Sequence, residues 1–229
     1  MKVMKPRPYE HRCSVDTPVM DEIVNSARLW RRAEVLANLS PVPRLAGVYG
    51  WFFKSIPGVP TSGCVMVGNF ALLYVGIAPK SPPVDGGRPS SQTLWHRIRY
   101  HYRGNAEGST LRLTLGCLLS VELDIELRRV GSGNRLTFHE GEERLSAWMS
   151  ENALVTWAVH PQPWEPEKQL IGSLSLPLNL DQNRTHVYYA DLSALRRAAK
   201  QQARELPILQ NITKPFIDPV PRQSQLQPA

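Results

Sequence analysis

Two short apolar blocks, Leu45–Phe53 (LAGVYGWFF) and Phe70–Ala78 (FALLYVGIA), set the hydrophobic pattern of this chain. Both are rich in aromatic and branched residues and too short for comfortable helices, so they predict strands. Between them Pro57, Gly58, Pro60, Ser62 and Gly63 mark a loop, which makes the pair a hairpin. In a regular strand residues two apart share a face. That places Gly47, Tyr49 and Trp51 together on the first strand and Leu72, Tyr74 and Gly76 together on the second. Each strand thus carries a tyrosine with a glycine two positions away. A glycine there leaves room for close approach to a phenol ring. Taken singly, each tyrosine is also explained as a core aromatic with its hydroxyl hydrogen-bonded.

The remaining pattern is mostly helical. Ile23, Ala27, Trp30, Ala33 and Leu36 recur at helical spacing, which predicts an amphipathic helix over Asp21–Asn38, stopped by Pro41 and Pro43. Further helices are predicted over Thr93–Tyr102, Ser109–Leu119 with Ser109 or Thr110 as cap, Glu143–Glu151, Glu165–Leu174 and Leu192–Glu205. Arg128–Glu143 reads as polar and turn-rich, and Ala153–Val159 (ALVTWAV) as a third strand. Pro79–Ser91 is a loop rich in Pro, Gly and Ser, and Pro207–Ala229 reads as an extended tail. Three strands among helices define one small α/β layered domain. The expected division is a helical extension over 1–40, the domain over 41–206 and the tail over 207–229.

Composition narrows the class. The chain has 229 residues, 42% hydrophobic and 21% charged, as globular proteins have. No apolar run reaches membrane-spanning length, and the basic N-terminus lacks the apolar block of a secretory signal, so the cytoplasm is the expected compartment and no membrane partner is expected. Cys13, Cys64 and Cys117 are too scattered for a disulfide framework or a zinc site and are expected as free thiols. His139-Glu140-Gly141-Glu142-Glu143 begins like a zinc-protease motif but has glutamate where the second histidine is needed. A net charge of +7 favours a polyanionic partner such as nucleic acid.

Gly47-Val48-Tyr49 followed by Tyr74-Val75-Gly76 resembles the paired signature of the GIY-YIG nuclease family, with valine in place of isoleucine at both centres. The resemblance continues in family order over roughly Leu45–Asn183. The helix Leu94–His101 carries Arg97 where the family places an essential arginine, and His101 one turn on, on the same face. Glu167 stands three residues before Leu170-Ile171, and Asn179 follows twelve residues after Glu167, the register of the family's metal-binding glutamate and its asparagine. Glu165 is out of that register. Read alone, Arg97 would belong to a basic helix surface and Glu167 would be an exposed carboxylate near a helix N-terminus.

The resemblance implies an α/β fold with a central three-stranded antiparallel sheet flanked by helices. It implies an endonuclease that hydrolyses a DNA phosphodiester with Mg²⁺ or Mn²⁺. In that reading Glu167 holds the ion and Arg97 neutralises the phosphorane. Tyr49 orients or deprotonates the attacking water, with His101 as supporting charge or as proton relay. Tyr74 supports it or binds phosphate, and Asn179 fixes the geometry. Arg99, Arg103, Arg112, Arg196, Arg197 and Lys200 are the candidates for nucleic-acid contact. Asn105, Ser109, Asn183 and His186 are expected to be structural or to touch nucleic acid. RNA stays open as a substrate, and a binding module of the same fold with weak or absent cleavage is the alternative. Convergence of the five family side chains discriminates between the two.

Overall fold

The central sheet forms from strands whose residues are apolar on both sides. The computed structural model describes residues 17–83, 87–88 and 90–211. Its elements are α1 (Thr17–Val24), α2 (Arg32–Leu36), β1 (Gly47–Phe53), β2 (Met66–Val67), β3 (Phe70–Ala78), α3 (Leu94–Arg103) and α4 (Thr110–Leu118), then β4 (Arg128–Val130), β5 (Arg135–Thr137), α5 (Gly141–Asn152), β6 (Ala153–Val159), α6 (Trp164–Ser173) and α7 (Tyr189–Glu205). The sheet order is β2-β3-β1-β6, and each neighbouring pair is antiparallel. The sheet therefore has four strands, not three, because Met66-Val67 folds back onto Phe70-Ala71 around Gly68. Gly68 has φ +59°, a conformation glycine adopts at little cost.

Both faces of the sheet are covered. Tyr49, Trp51 and Phe53 pack with Leu94 and Ile98 of α3, Leu111 and Leu115 of α4, and Leu145 and Met149 of α5. On the opposite face Val48, Phe52, Leu72 and Val75 pack with Val19 and Ile23 of α1 and Leu170 and Ile171 of α6. Burying each such side chain contributes about 1.5–3 kcal/mol, so the helices are fixed by what they cover rather than by propensity. Among the described residues no helix is long and apolar enough to cross a membrane.

Three expectations are corrected. The predicted helix Asp21–Asn38 is two helices, α1 and α2, with Trp30 between them. Trp30 exchanges backbone hydrogen bonds with Val155 of β6 at 2.8 and 3.1 Å and stacks on Trp157 with ring centroids 5.5 Å apart. Strand pairing outcompetes the helical periodicity there. The turn-rich segment after Arg128 holds a small hairpin, β4–β5, turned by Gly131 and Gly133 at φ +62° and +87°. Finally, the β1–β3 register slips between Trp51 and Phe52, leaving Leu73 as an extra residue in β3. This bulge moves Leu72 away from the face of Tyr74 and into the α1–α6 layer with Val75. The opening of the expected tail, residues 207–211, runs beside β4, where Leu209 pairs with Val130. The rest of that tail, Cys13 and the first sixteen residues lie outside the described residues, and Cys64 and Cys117 are free thiols.

Candidate active site

The bulge and the glycines aim the two tyrosines. Tyr49 lies directly opposite Gly76 across the β1–β3 pair. A Cβ on Gly76 would sit 2.6 Å from Tyr49 Oη and 2.7 Å from Cζ, so only glycine lets the phenol ring lie flat across β3. Tyr74, opposite Trp51, follows the bulge and projects on the same side. Tyr49, Tyr74, Arg97, Glu167 and Asn179 all line one cleft of about 730 Å³.

Behind Tyr49 stands a buried chain of hydrogen bonds. Tyr49 Oη is 2.9 Å from His101 Nε2, and His101 Nδ1 is 2.7 Å from Ser109 Oγ. Ser109 caps α4 by accepting the N–H of Arg112 at 3.1 Å. His101 does not line the cleft. It is fully buried, ringed by Tyr49, Trp51 and Tyr74 at centroid distances of 5.4, 5.8 and 6.4 Å. Burial, with Arg97 and Arg112 nearby, holds its pKa well below the usual imidazole value, so the ring is neutral. Burial also raises Tyr49, with Tyr74 adding to the effect, while Arg97 within hydrogen-bonding reach pulls it down. Tyr74 is raised by burial and lowered by a hydrogen bond with Thr110 and by the charge of Arg97.

Arg97 rises from α3 and is steadied by donating to the carbonyl of Gly108 at 2.6 Å. That anchor uses one donor of a guanidinium that carries five, leaving others for the cleft. Glu167 comes from the first turn of α6, where Pro163 and Pro166 occupy positions whose N–H the helix does not need. Among the described residues its carboxylate has neither a hydrogen-bond donor nor a cation in contact. Burial, then the neighbouring charge of Asp181, push its pKa up to about 7. Glu165 is exposed and does not line the cleft.

Asn179 acts on the sheet edge. Past Leu72, no described strand pairs with the outer side of β3, and the Asn179 amide takes that place. Its Oδ1 accepts the N–H of Val75 and its Nδ2 donates to the carbonyl of Val75, both at 2.9 Å. Leu178 N–H adds a bond to the carbonyl of Leu73, the bulged residue, at 3.0 Å. Asn183 Nδ2 ties the same loop by donating to the carbonyls of Leu176 and Asn179. Val75 lies between Tyr74 and Gly76, so this clamp holds the backbone that presents both tyrosines.

The far wall of the cleft is basic. Arg196, Arg197, Lys200 and Arg204 of α7 line it, with Lys80 and Arg184 from the loops. The other expected nucleic-acid contacts lie elsewhere. Arg103 is exposed at the end of α3 beside a second groove that shares Gln92 and Arg97 with the cleft. Arg99 is buried, donating to the carbonyl of Val35 at 2.6 Å and lying over the Trp95 ring. Arg112 has no exposed surface at all. It pairs with Glu142 through Nε and Nη2 at 2.9 and 2.7 Å and donates to the carbonyl of His101 at 3.1 Å. It thus ties α3, α4 and α5 together and faces no solvent. Asn105 accepts from the Tyr100 hydroxyl, and His186 bonds Ser175 at 3.1 Å, both as local clips.

Sequence spacing missed Asp181, Lys80 and Arg184, which reach the cleft from loops; Arg204 was expected with the rest of the basic face of the last helix. Thr110, weighed only as a cap, turns out to bond Tyr74. No periodic signal marks loop residues. The one available clue was that Asp181 stands two positions past Asn179.

The family model for the GIY-YIG catalytic domain matches residues 47–198, most of the chain. This protein belongs to the GIY-YIG family, and its function is of the nuclease type, with a nucleic acid as substrate. A search of curated proteins and one of solved structures each gave no match.

Proposed function

We propose that the cleft hydrolyses a DNA phosphodiester with the help of a divalent cation. The observation that carries this reading is the convergence of Tyr49, Tyr74, Arg97, Glu167 and Asn179 in one cleft, which supports an enzyme over a module that only binds. The residues fit a hard cation. Among the described residues Glu167 has no ion-pair partner, and burial and Asp181 disfavour its charged form more than Lys80 favours it. Among the described residues no group of three or more His, Cys, Asp or Glu is placed to hold a metal, so the site suits Mg²⁺ or Mn²⁺ keeping most of its waters. Bound at Glu167, such an ion would polarise the phosphate and stabilise charge on the leaving 3′ oxygen.

The chain's own groups supply the rest. Arg97 donates to the non-bridging phosphate oxygens, where charge grows in the transition state. Tyr49 Oη accepts a proton from the attacking water as the new P–O bond forms and the P–O3′ bond breaks; solvent protonates the leaving oxygen. Because burial raises Tyr49, its phenolate depends on the positive charge gathered in the cleft, Arg97 first. Tyr74, held by Thr110, contacts a phosphate oxygen. Asn179 stays behind the strand as a clamp. The α7 wall follows the phosphate backbone on one side of the scissile bond, and Arg103 reaches it on the other.

The test is cleavage of linear, nicked and branched DNA, and of RNA, with Mg²⁺, Mn²⁺ or a chelator. Metal-dependent strand scission of DNA is expected. Tight binding with no scission of any of these nucleic acids in either metal would favour the binding module, and scission of RNA alone would replace DNA as the substrate.

A further inference from the structure

We propose that Ser109 is a positioning residue that sets the ring tautomer of His101, so that His101 donates its Nε2 proton to Tyr49 Oη. The inference rests on the assignment of Tyr49 to the reaction, and it replaces both roles expected for His101, supporting charge or proton relay, with that of a fixed neutral donor.

A serine hydroxyl has one proton to donate and two lone pairs. Ser109 is completely buried at the N-terminus of α4, out of reach of solvent. One lone pair takes the N–H of Arg112 at 3.1 Å. Its proton needs an acceptor, and among the described residues the only one in reach is His101 Nδ1 at 2.7 Å. The opposite arrangement, Nδ1–H donating to Ser109, would fill both lone pairs and leave the serine proton aimed at apolar neighbours. Buried polar groups are rarely left so.

With Nδ1 accepting, a neutral imidazole carries its proton on Nε2. That nitrogen is 2.9 Å from Tyr49 Oη, so the bond runs from histidine to tyrosine. The ring stays neutral because it is fully buried and its charged neighbours are cationic. Arg97 faces it from α3 and Arg112 from α4, the latter paired with Glu142 of α5, while Trp51 of β1 and Tyr74 of β3 add no charge.

Two consequences follow. His101 cannot take a proton from Tyr49, since Nε2 is occupied and Nδ1 is engaged, so it is not a relay. Instead Tyr49 Oη receives a donor from behind and Arg97 beside it, which leaves its own proton free to point into the cleft and stabilises the oxygen when it is negative. Ser109 acts wholly through His101 and never meets the substrate.

The direct measurement is a long-range proton–nitrogen correlation spectrum of the full chain labelled at the histidine rings, with His101 assigned by its loss in His101→Asn. The expected pattern has Nε2 protonated and Nδ1 bare across the neutral pH range. A protonated Nδ1, alone or together with Nε2, overturns the proposal whatever the variants do. Two substitutions carry it to function. Ser109→Thr keeps both the cap and the donated proton, and should keep the tautomer and the turnover. Ser109→Asp keeps the cap by accepting from Arg112 but has no proton to give. It should move the ring proton to Nδ1 and lower kcat on the order of a hundredfold, the effect of losing one donor to a developing charge, with KM unchanged. If Ser109→Asp does not fold, the wild-type spectrum and Ser109→Thr still decide. An Nδ1-protonated ring in an active nuclease sinks this inference alone. The expected tautomer in a protein that binds DNA but never cleaves it counts against the nuclease reading, not against the tautomer.

Discussion

Arg112 and Arg197 are the same residue type on helices that touch, α4 and α7, yet Arg112 is sealed behind the cleft and Arg197 lines it. Arg112 is sealed, with hydrogen bonds to Glu142 and to the backbone of His101. Arg197 is exposed on the cleft rim, with no partner among the described residues. The difference is general. Behind Tyr49, His101, Ser109, Arg112 and Glu142 form a paired and dry network. Around the cleft Glu167, Asp181, Arg197 and Lys200 form no ion pair among the described residues. A paired wall fixes geometry, and an unpaired wall waits for a charged ligand. Each can be broken separately.

The largest effect should come from opening the paired wall. Arg112→Ala leaves Glu142 with an uncompensated charge and strips His101 of a carbonyl partner. A loss of about 3–5 kcal/mol is expected for a broken buried pair, a large share of the stability of an ordinary domain. Urea titration reads it; a loss under 1 kcal/mol would mean the network is not what holds α3 to α5.

Asn179→Ala comes next. It removes both bonds to Val75 and leaves a buried N–H and a buried carbonyl unpaired, at about 1–3 kcal/mol for each group without a replacement partner. Cleavage should fall with it, since β3 presents both tyrosines. Hydrogen exchange should show the amide of Val75 losing protection while the β1–β6 amides keep theirs.

On the unpaired wall, pH should act through Glu167. Its pKa is about 7 when folded, against the ordinary 4.5 of a free glutamate. The folded state therefore holds a proton that the unfolded chain has released. This contribution to stability is complete below about pH 4.5 and is lost as pH rises towards about 7. Glu167→Gln should flatten that slope in a series of thermal melts, and Mg²⁺ should restore stability to the wild type at pH 8 but not to the variant. Equal slopes would show that Glu167 is not strained by its site.

The smallest effect on folding belongs to Arg197→Ala, within about 0.5 kcal/mol for an exposed residue without partners. Its signature is in binding. Affinity for DNA should drop alike for all sequences, and the slope of log affinity against log salt should shrink by about one.

Much of this was legible in the chain. The strands Phe70–Ala78 and Ala153–Val159 have the predicted limits, because aromatic and β-branched runs of that length fit little else. The register of Tyr49, Tyr74, Arg97, Glu167 and Asn179 pointed to one cleft, and the five line one. What stayed hidden depended on partners far along the chain. The bulge at Leu73 belongs to the pairing of two strands, not to either sequence. Trp30 has helical spacing, but β6 offered it a better set of hydrogen bonds. Arg112 reads as one more surface cation because Glu142, thirty residues on, has no sequence register with it. Asp181 and Lys80 reach the cleft from loops, which carry no period at all.

Titration of Mg²⁺ against DNA cleavage in Glu167→Gln, with Glu165→Gln and Tyr49→Phe alongside, tests the assignment of the cleft most directly. Glu167→Gln should lose cleavage by orders of magnitude at every Mg²⁺ concentration, while its affinity for DNA without metal stays the same or rises. Glu165→Gln should follow the wild-type curve, and Tyr49→Phe should lose cleavage with the metal response nearly intact. Full activity in Glu167→Gln, or a loss confined to Glu165→Gln, would contradict the assignment.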